Sequence, residues 1–223
     1  MERSALYRRA LAPVMILAGS VGILGAALGC WQEIKSPAGF VGYWMALALT
    51  VIAGAFWLVR RQAKKSSEPF WSPPTRRVAQ ALSMPLTIGF ILGLVCLDAG
   101  LKNQDLDLWT GTPADAGKLN WLPAVWALCY GCALHAAGFF VIGSLRRFAW
   151  LFSIVAAAFL LWGLSVHSRN LPLITWQTWQ GLLVESWLPS WQASHCQMGS
   201  LFGFLQLAYG IYLYFTEKKN PAA

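Results

Sequence analysis

A chain of 223 residues that is 57% hydrophobic and 12% charged, with a mean hydropathy of +0.50, is too apolar for an ordinary water-soluble domain. Its formal net charge of +8 is not a nucleic-acid signal, because the basic residues collect in the short segments between apolar runs. No repeat of 20–50 residues is present and nothing between the runs is long enough for a second folded unit, so a single membrane domain over residues 1–223 is expected.

Six apolar runs, at about 10–31, 39–59, 78–97, 121–143, 148–166 and 198–215, carry no Asp, Glu, Lys or Arg. Each matches the roughly 20 residues that a helix needs to cross about 30 Å of hydrocarbon. The first, Ala10–Trp31, holds Gly19, Gly22, Gly25 and Gly29 on closely related faces. Small residues at this spacing let another helix approach closely, and packing within the chain is the expected use. Ala27-Leu28-Gly29-Cys30 resembles a lipoprotein cleavage site, but the apolar run exceeds the usual signal length of about 7–15 residues and Ala27 stands where Leu is preferred. A retained signal anchor is the expectation.

Between the second and third runs lies Arg60–Arg77, with Arg60, Arg61, Lys64, Lys65, Arg76 and Arg77. Pro69, Pro73 and Pro74 argue for extended backbone here. Near a membrane surface each cation attracts anionic lipid headgroups by about 1 kcal/mol. Docking of a soluble partner is the alternative use. After the third run, Asp98–Asn120 is polar. Its Asp105 and Asp107 read as solvated carboxylates, and Gly111–Lys118 fails as a phosphate loop in spacing and in the Leu119 that follows.

The fourth run contains Cys129, Cys132 and His135. A C-x-x-C redox centre is one reading. Within a regular helix, however, residues i and i+3 hold their Cβ atoms about 5–6 Å apart, wider than a disulfide accepts. A metal or haem site is a second reading, but Cys129 and His135 are about 9 Å apart along a helix axis and no second buried His is expected. Packing is the third: Gly131, Ala133, Ala136, Ala137 and Gly138 make this a close-contact helix, and Cys behaves there as a small hydrophobe. No metal and no cofactor are expected.

Residues 167–197 hold Trp176, Trp179, Trp187 and Trp191, the first three sharing a helical face with Leu183. A short helix over about 173–188, lying in the outer interface, is expected, with a re-entrant segment as the alternative. His167 and His195 are placed outside the membrane. Cys30 and Cys96 fall near outer helix ends and Cys196 outside, so a disulfide among these three is open in an oxidising compartment.

Charge sets the orientation. With the N-terminus inside, 13 of 17 basic residues fall in inner segments, and Glu33, Asp98, Asp105, Asp107, Asp115 and Glu185 fall outside. This pattern predicts N-in and C-in. Trp31, Trp121 and Trp162 then mark the outer interface, and Trp57 and Trp150 the inner. His135 needs a partner in hydrocarbon. Counting 1.5 Å per residue from the inner ends puts Ser20, Thr50, Thr87 and Gln206 at about its depth. A mid-membrane polar layer is expected, either as glue between helices or as a substrate or proton site.

Three stretches, PFWSPPTRRVAQAL at 69–82, YGCALHAAGFF at 130–140 and LFGFLQLAYGIYLYFTEK at 201–218, resemble a family of small multi-pass membrane proteins of bacteria, uncharacterised as to activity. The likeness covers most of the chain except the Trp-rich segment. It implies an inner-membrane location and carries over no catalytic residues. The expected architecture is therefore an all-α bundle of six membrane helices, N-in and C-in. The expected role is that of a non-enzymatic accessory or sensory subunit, with anionic headgroups, and a membrane or cytoplasmic protein, as partners. The alternatives are a small transporter or ligand-binding protein using the His135 layer, and a thiol oxidoreductase using Cys129 and Cys132.

Overall fold

The computed structural model describes residues 3–65, 73–102, 121–141, 143–167 and 190–219, and among them every regular element is a helix. In chain order these are α1 (Arg3–Trp31), α2 (Pro37–Lys65), α3 (Pro73–Lys102), α4 (Trp121–Ala137), α5 (Gly143–His167), α6 (Ser190–Met198) and α7 (Leu205–Lys219). A single π-helical turn, Gly199–Phe204, joins α6 to α7 without a break, so residues 190–219 form one rod.

Among the described residues, five stretches are long and apolar enough to cross a membrane: Leu11–Trp31, Pro37–Lys65, Thr75–Lys102, Gly143–Leu161 and Trp191–Thr216. The fourth apolar run differs from expectation. Instead of spanning 121–143, α4 stops at Ala137 after 17 residues, and a turn follows in which Gly138 N–H donates to Leu134 O at 2.9 Å and Phe140 N–H to Ala137 O at 2.9 Å. Crowding explains why Gly138 sits here: a Cβ on it would lie 2.5 Å from the Arg146 side chain. The fifth helix accordingly begins at Gly143, and Arg146 and Arg147 stand on its first turn.

The basic segment also departs from the extended form expected. Helix α2 runs on to Lys65 and α3 starts at Pro73, so Arg60, Arg61, Lys64, Lys65, Arg76 and Arg77 all stand on helix ends. Proline at the first helical position costs no hydrogen bond, because that N–H has no partner in the helix anyway. Pro69 and Trp71 lie outside the described residues, as do Asp105, Asp107, Gly111–Lys118 and the proposed interfacial helix at 173–188.

A compact hairpin joins α1 to α2. Ile34 N–H donates to Gly29 O and Glu33 N–H to Cys30 O, with Glu33 in the left-handed region at φ 52°. This is the two-bond closure typical of helix C-termini, with Glu33 where glycine is usual. Ser36 then caps α2, its Oγ accepting from Gly39 N–H at 3.1 Å, and Pro37 occupies the first helical position.

Successive helices pack as antiparallel neighbours. Helix α1 lies on α2, α2 on α3, α3 on α4 and α4 on α5, and the final rod returns to α1 while its π turn touches α4 and α5. The closest seam is between α1 and the final rod. A Cβ on Gly22 would fall 2.7 Å from Phe202 O, one on Gly203 2.8 Å from Ile23 N, and one on Gly210 2.8 Å from Ile16 N. Side chains are therefore excluded from the seam and the backbones touch, which is how small residues drive helix association in lipid. All four α1 glycines pack within the chain, as expected for the Gly25–Gly29 pair: Gly19 and Gly22 against the final rod, Gly25 against Leu47 and Gly29 against His195.

Two apolar clusters fill the interior. One, toward the basic end, includes Met15, Leu134, Leu145, Phe148, Phe152, Leu201 and Tyr209. In it Phe148 and Tyr209 stack at 4.1 Å between ring centroids, and the Tyr209 hydroxyl reaches Ser144 Oγ at 3.2 Å. The other, at the α1–α2 hairpin end, includes Phe40, Val41, Trp44, Leu122, Trp191 and Met198. Large apolar side chains such as Leu24, Ile52, Met84, Ile154 and Phe204 point outward along the length of the bundle. Water would penalise such a surface, whereas hydrocarbon accepts it.

Candidate functional site

The most organised polar feature of the interior is at His195, which sequence reasoning placed outside the membrane. It is fully buried in α6. The last span begins at Trp191 rather than Met198, so His195, Cys196 and Gln197 belong to it. Their polarity lowers the hydropathy of these turns, which is why the apolar run alone starts later.

Four aromatic side chains surround the imidazole. Ring centroids lie 5.0 Å away at Phe40, 6.0 Å at Tyr43, 6.0 Å at Trp44 and 6.3 Å at Trp191. Phe40, Tyr43 and Trp44 stand at i, i+3 and i+4 on α2 and so present one face. Gly29 of α1 supplies the floor, since a Cβ there would collide with the imidazole. Trp44 Nε1–H donates to His195 Nδ1 at 3.1 Å, and His195 Nε2 meets Ile34 O at 3.2 Å. An indole N–H can only donate and a carbonyl can only accept, so the ring carries its hydrogen on Nε2 and is neutral. Both nitrogens are thereby committed. The chemistry available is to hold the α1–α2 hairpin, α2 and α6 together, with no lone pair left for a metal or an incoming proton. Around this junction Tyr43 Oη donates to Gly25 O at 2.7 Å, and Lys35 lies 5.5 Å over the Trp191 ring. The signal available in sequence was the aromatic triplet on α2 opposite the glycines of α1.

His135 occupies a different setting. It is half-buried on α4, in a lateral groove of about 520 Å³ between α3, α4 and α5 whose walls include Ala81, Cys132, Trp150 and Ser153. Phe139 and Trp150 meet its ring edge-on at 5.3 and 5.5 Å, and its Nδ1 is buried without a hydrogen-bond partner. The other members of the expected polar layer differ in exposure. Gln206 is buried with its Oε1 unpartnered, and Ser20 is half-buried at a neighbouring level of the α1 seam. Thr50 is exposed and donates to Ala46 O of its own helix at 2.9 Å, while Thr87 is exposed on α3. No hydrogen bond joins His135 Nδ1 or Gln206 Oε1 to any of the five. The five thus differ in exposure, with Gln206 turned inward and Thr50 and Thr87 outward.

Cys129 and Cys132 lie on α4 with both thiols free. Cys129 packs against α3, its Cβ 3.5 Å from where a Cβ on Gly89 would be, whereas Cys132 is exposed on the groove wall. Trp126 Nε1–H donates to Gly89 O at 2.9 Å, so this seam too is built on a small residue. Among the described residues, no three His, Cys, Asp or Glu side chains converge as a metal-ligand set.

At the opposite end from His195, eight exposed cations gather on helix ends: Arg60, Arg61, Lys64 and Lys65 of α2, Arg76 and Arg77 of α3, and Arg146 and Arg147 of α5. Arg61 lies 5.4 Å over the Trp57 ring and Arg146 5.0 Å over Phe139. Trp57 and Trp150 are exposed near this end and Trp31 at the other. Comparison with protein-family models, with curated proteins and with solved structures finds no match to this chain.

Proposed function

We propose that this chain is a six-span protein of a bacterial inner membrane, N-in and C-in, acting without catalysis as an accessory or sensory subunit. The observation that carries this reading is the commitment of both His195 nitrogens. The one fully buried titratable side chain among the described residues is used to hold helices, not to do chemistry. Glycine seams that bring backbones into contact support it further, since they leave no passage between α1 and the last span. In this orientation the eight cations face the cytoplasm, where anionic headgroups and an acidic protein surface are their natural partners. The sixth span is α4 together with the chain around it.

The test is purification in a mild detergent that preserves subunit contacts. A second membrane subunit in fixed stoichiometry is expected with the wild type, and is expected to be lost when Arg60, Arg61, Lys64 and Lys65 are all changed to Glu, scored on the molecules whose C-terminal tag keeps the wild-type orientation. A protein that runs alone in both forms overturns the reading. A second reading, a small transporter or ligand-binding protein, is favoured by the unpartnered His135 Nδ1 beside the lateral groove. That reading requires His135→Ala to remain as heat-stable as wild type while losing binding.

A further inference from the structure

The seam between α1 and the final rod has a regular register. Ile16 meets Gly210, Gly19 meets Leu207, Gly22 meets Gly203, Ala26 meets Gly199 and Gly29 meets His195. Steps of three or four residues along α1 are answered by steps of three or four back along the rod. Each member of the last of these pairs is followed in sequence by a cysteine, and the Cys30 and Cys196 thiols are near enough to interact. Cys196 is exposed and Cys30 half-buried. Cys30 is the penultimate residue of α1, so the pair stands where the helix leaves the membrane, next to the His195 junction.

We propose that Cys30 and Cys196 are a reversible dithiol–disulfide clasp at the outer end of the bundle, oxidised by exchange with an exogenous disulfide. The exposed Cys196, as thiolate, attacks one sulfur of that disulfide. A Cys196 mixed disulfide forms and the first leaving thiolate departs. The Cys30 thiolate then attacks the Cys196 sulfur and expels the second leaving thiolate. Two protein thiols are oxidised, one exogenous disulfide is reduced to two thiols, and the two protons lost by the cysteines are taken up by the released thiolates. The proposal fits the geometry on two counts. The flanking pairs, Gly29 with the His195 imidazole and Ala26 Cβ with Gly199, hold the two helices close at this level, and the cysteines stand on either side of that contact. Cys129 and Cys132 lack this advantage, because one helix carries both and sets their spacing. The clasp itself is independent of the accessory role; only the compartment that supplies the oxidant rests on the N-in orientation.

The experiment uses the full chain in native membranes, treated with oxidised glutathione, then unfolded, alkylated without reduction and weighed. Five thiols alkylated before oxidant and three after are expected, with peptide mapping assigning the loss to Cys30 and Cys196, and dithiothreitol restoring five. Cys30→Ser is expected to hold a glutathione adduct on Cys196 that cannot resolve, and Cys96→Ala to behave as wild type apart from its missing label. Oxidation is expected in spheroplasts, where the reagent reaches only the outer face. Five labels after oxidant, a stable glutathione adduct on wild-type Cys196, or a disulfide through Cys96 overturns the clasp. Oxidation confined to inverted vesicles upholds the clasp and overturns the orientation, which separates the two claims.

Discussion

At the residue scale, His195 is the side chain on which the hairpin end of the bundle depends. Removing it leaves three defects at once: an indole N–H without an acceptor, a carbonyl without its donor, and a void among four rings. His195→Ala is therefore expected to cost about 2–4 kcal/mol, read by SDS titration of the folded protein in mixed micelles. Trp44→Phe keeps most of the ring packing and deletes one donor, so a smaller loss of about 1–2 kcal/mol is expected in the same titration. If the two substitutions cost the same, the hydrogen bonds rather than the packing carry the junction. His195 could not be read from the sequence because its neighbours Ser194 and Gln197 make the local segment look wet. A polar residue next to a span is invisible as part of it until its partner is known, and here the partners, Trp44 and Ile34 O, are about 150 residues away in the chain.

At the scale of elements, the glycines of α1 and of the final rod decide whether the bundle closes. Gly22→Leu would drive a side chain into the Phe202 carbonyl and the Gly203 backbone, which cannot yield as a side chain can. A loss of about 3 kcal/mol or more is expected, seen as lower accumulation and early thermal unfolding in detergent. Gly42→Ala is the control. The added methyl there meets only Leu97 Cδ1 at 3.8 Å, so stability within about 1 kcal/mol of wild type is expected, on the stabilising side. Helix existence was legible, because apolar length reports it directly. Helix ends were less so. Pro73 and Pro74 read as breakers yet open α3, and α4 halts at Ala137 because Gly138 tucks beneath Arg146. Rotation about the helix axes was not legible at all, and it is rotation that sends Thr50 and Thr87 outward while Gln206 turns in.

At the scale of the whole molecule, the charge distribution and the fold describe the same axis. Antiparallel packing of neighbours brings the eight exposed cations to one end and the His195 junction, with Cys30 and Cys196, to the other. Orientation should therefore follow these charges. Changing Arg60, Arg61, Lys64 and Lys65 together to Glu is expected to yield a mixed population, read as partial protease access to a C-terminal tag in spheroplasts, where protection is expected for the wild type. This end-to-end polarity was the part of the architecture most fully written in the sequence, because each short segment contributes to it without reference to tertiary contacts.

The seam between the first helix and the last rod sets a schedule for synthesis. Nearly the whole chain must be made before Gly19 and Gly22 can meet Leu207 and Gly203. At about 5–20 residues per second the first span waits on the order of ten seconds or more beside the insertion machinery. Throughout that interval its glycine face is a bare groove of backbone, open to the glycine face of another newborn chain. Crowded translation of this protein thus favours a swapped pairing, in which one molecule's first helix takes the place reserved in its neighbour, and slow, sparse expression favours the monomeric closure.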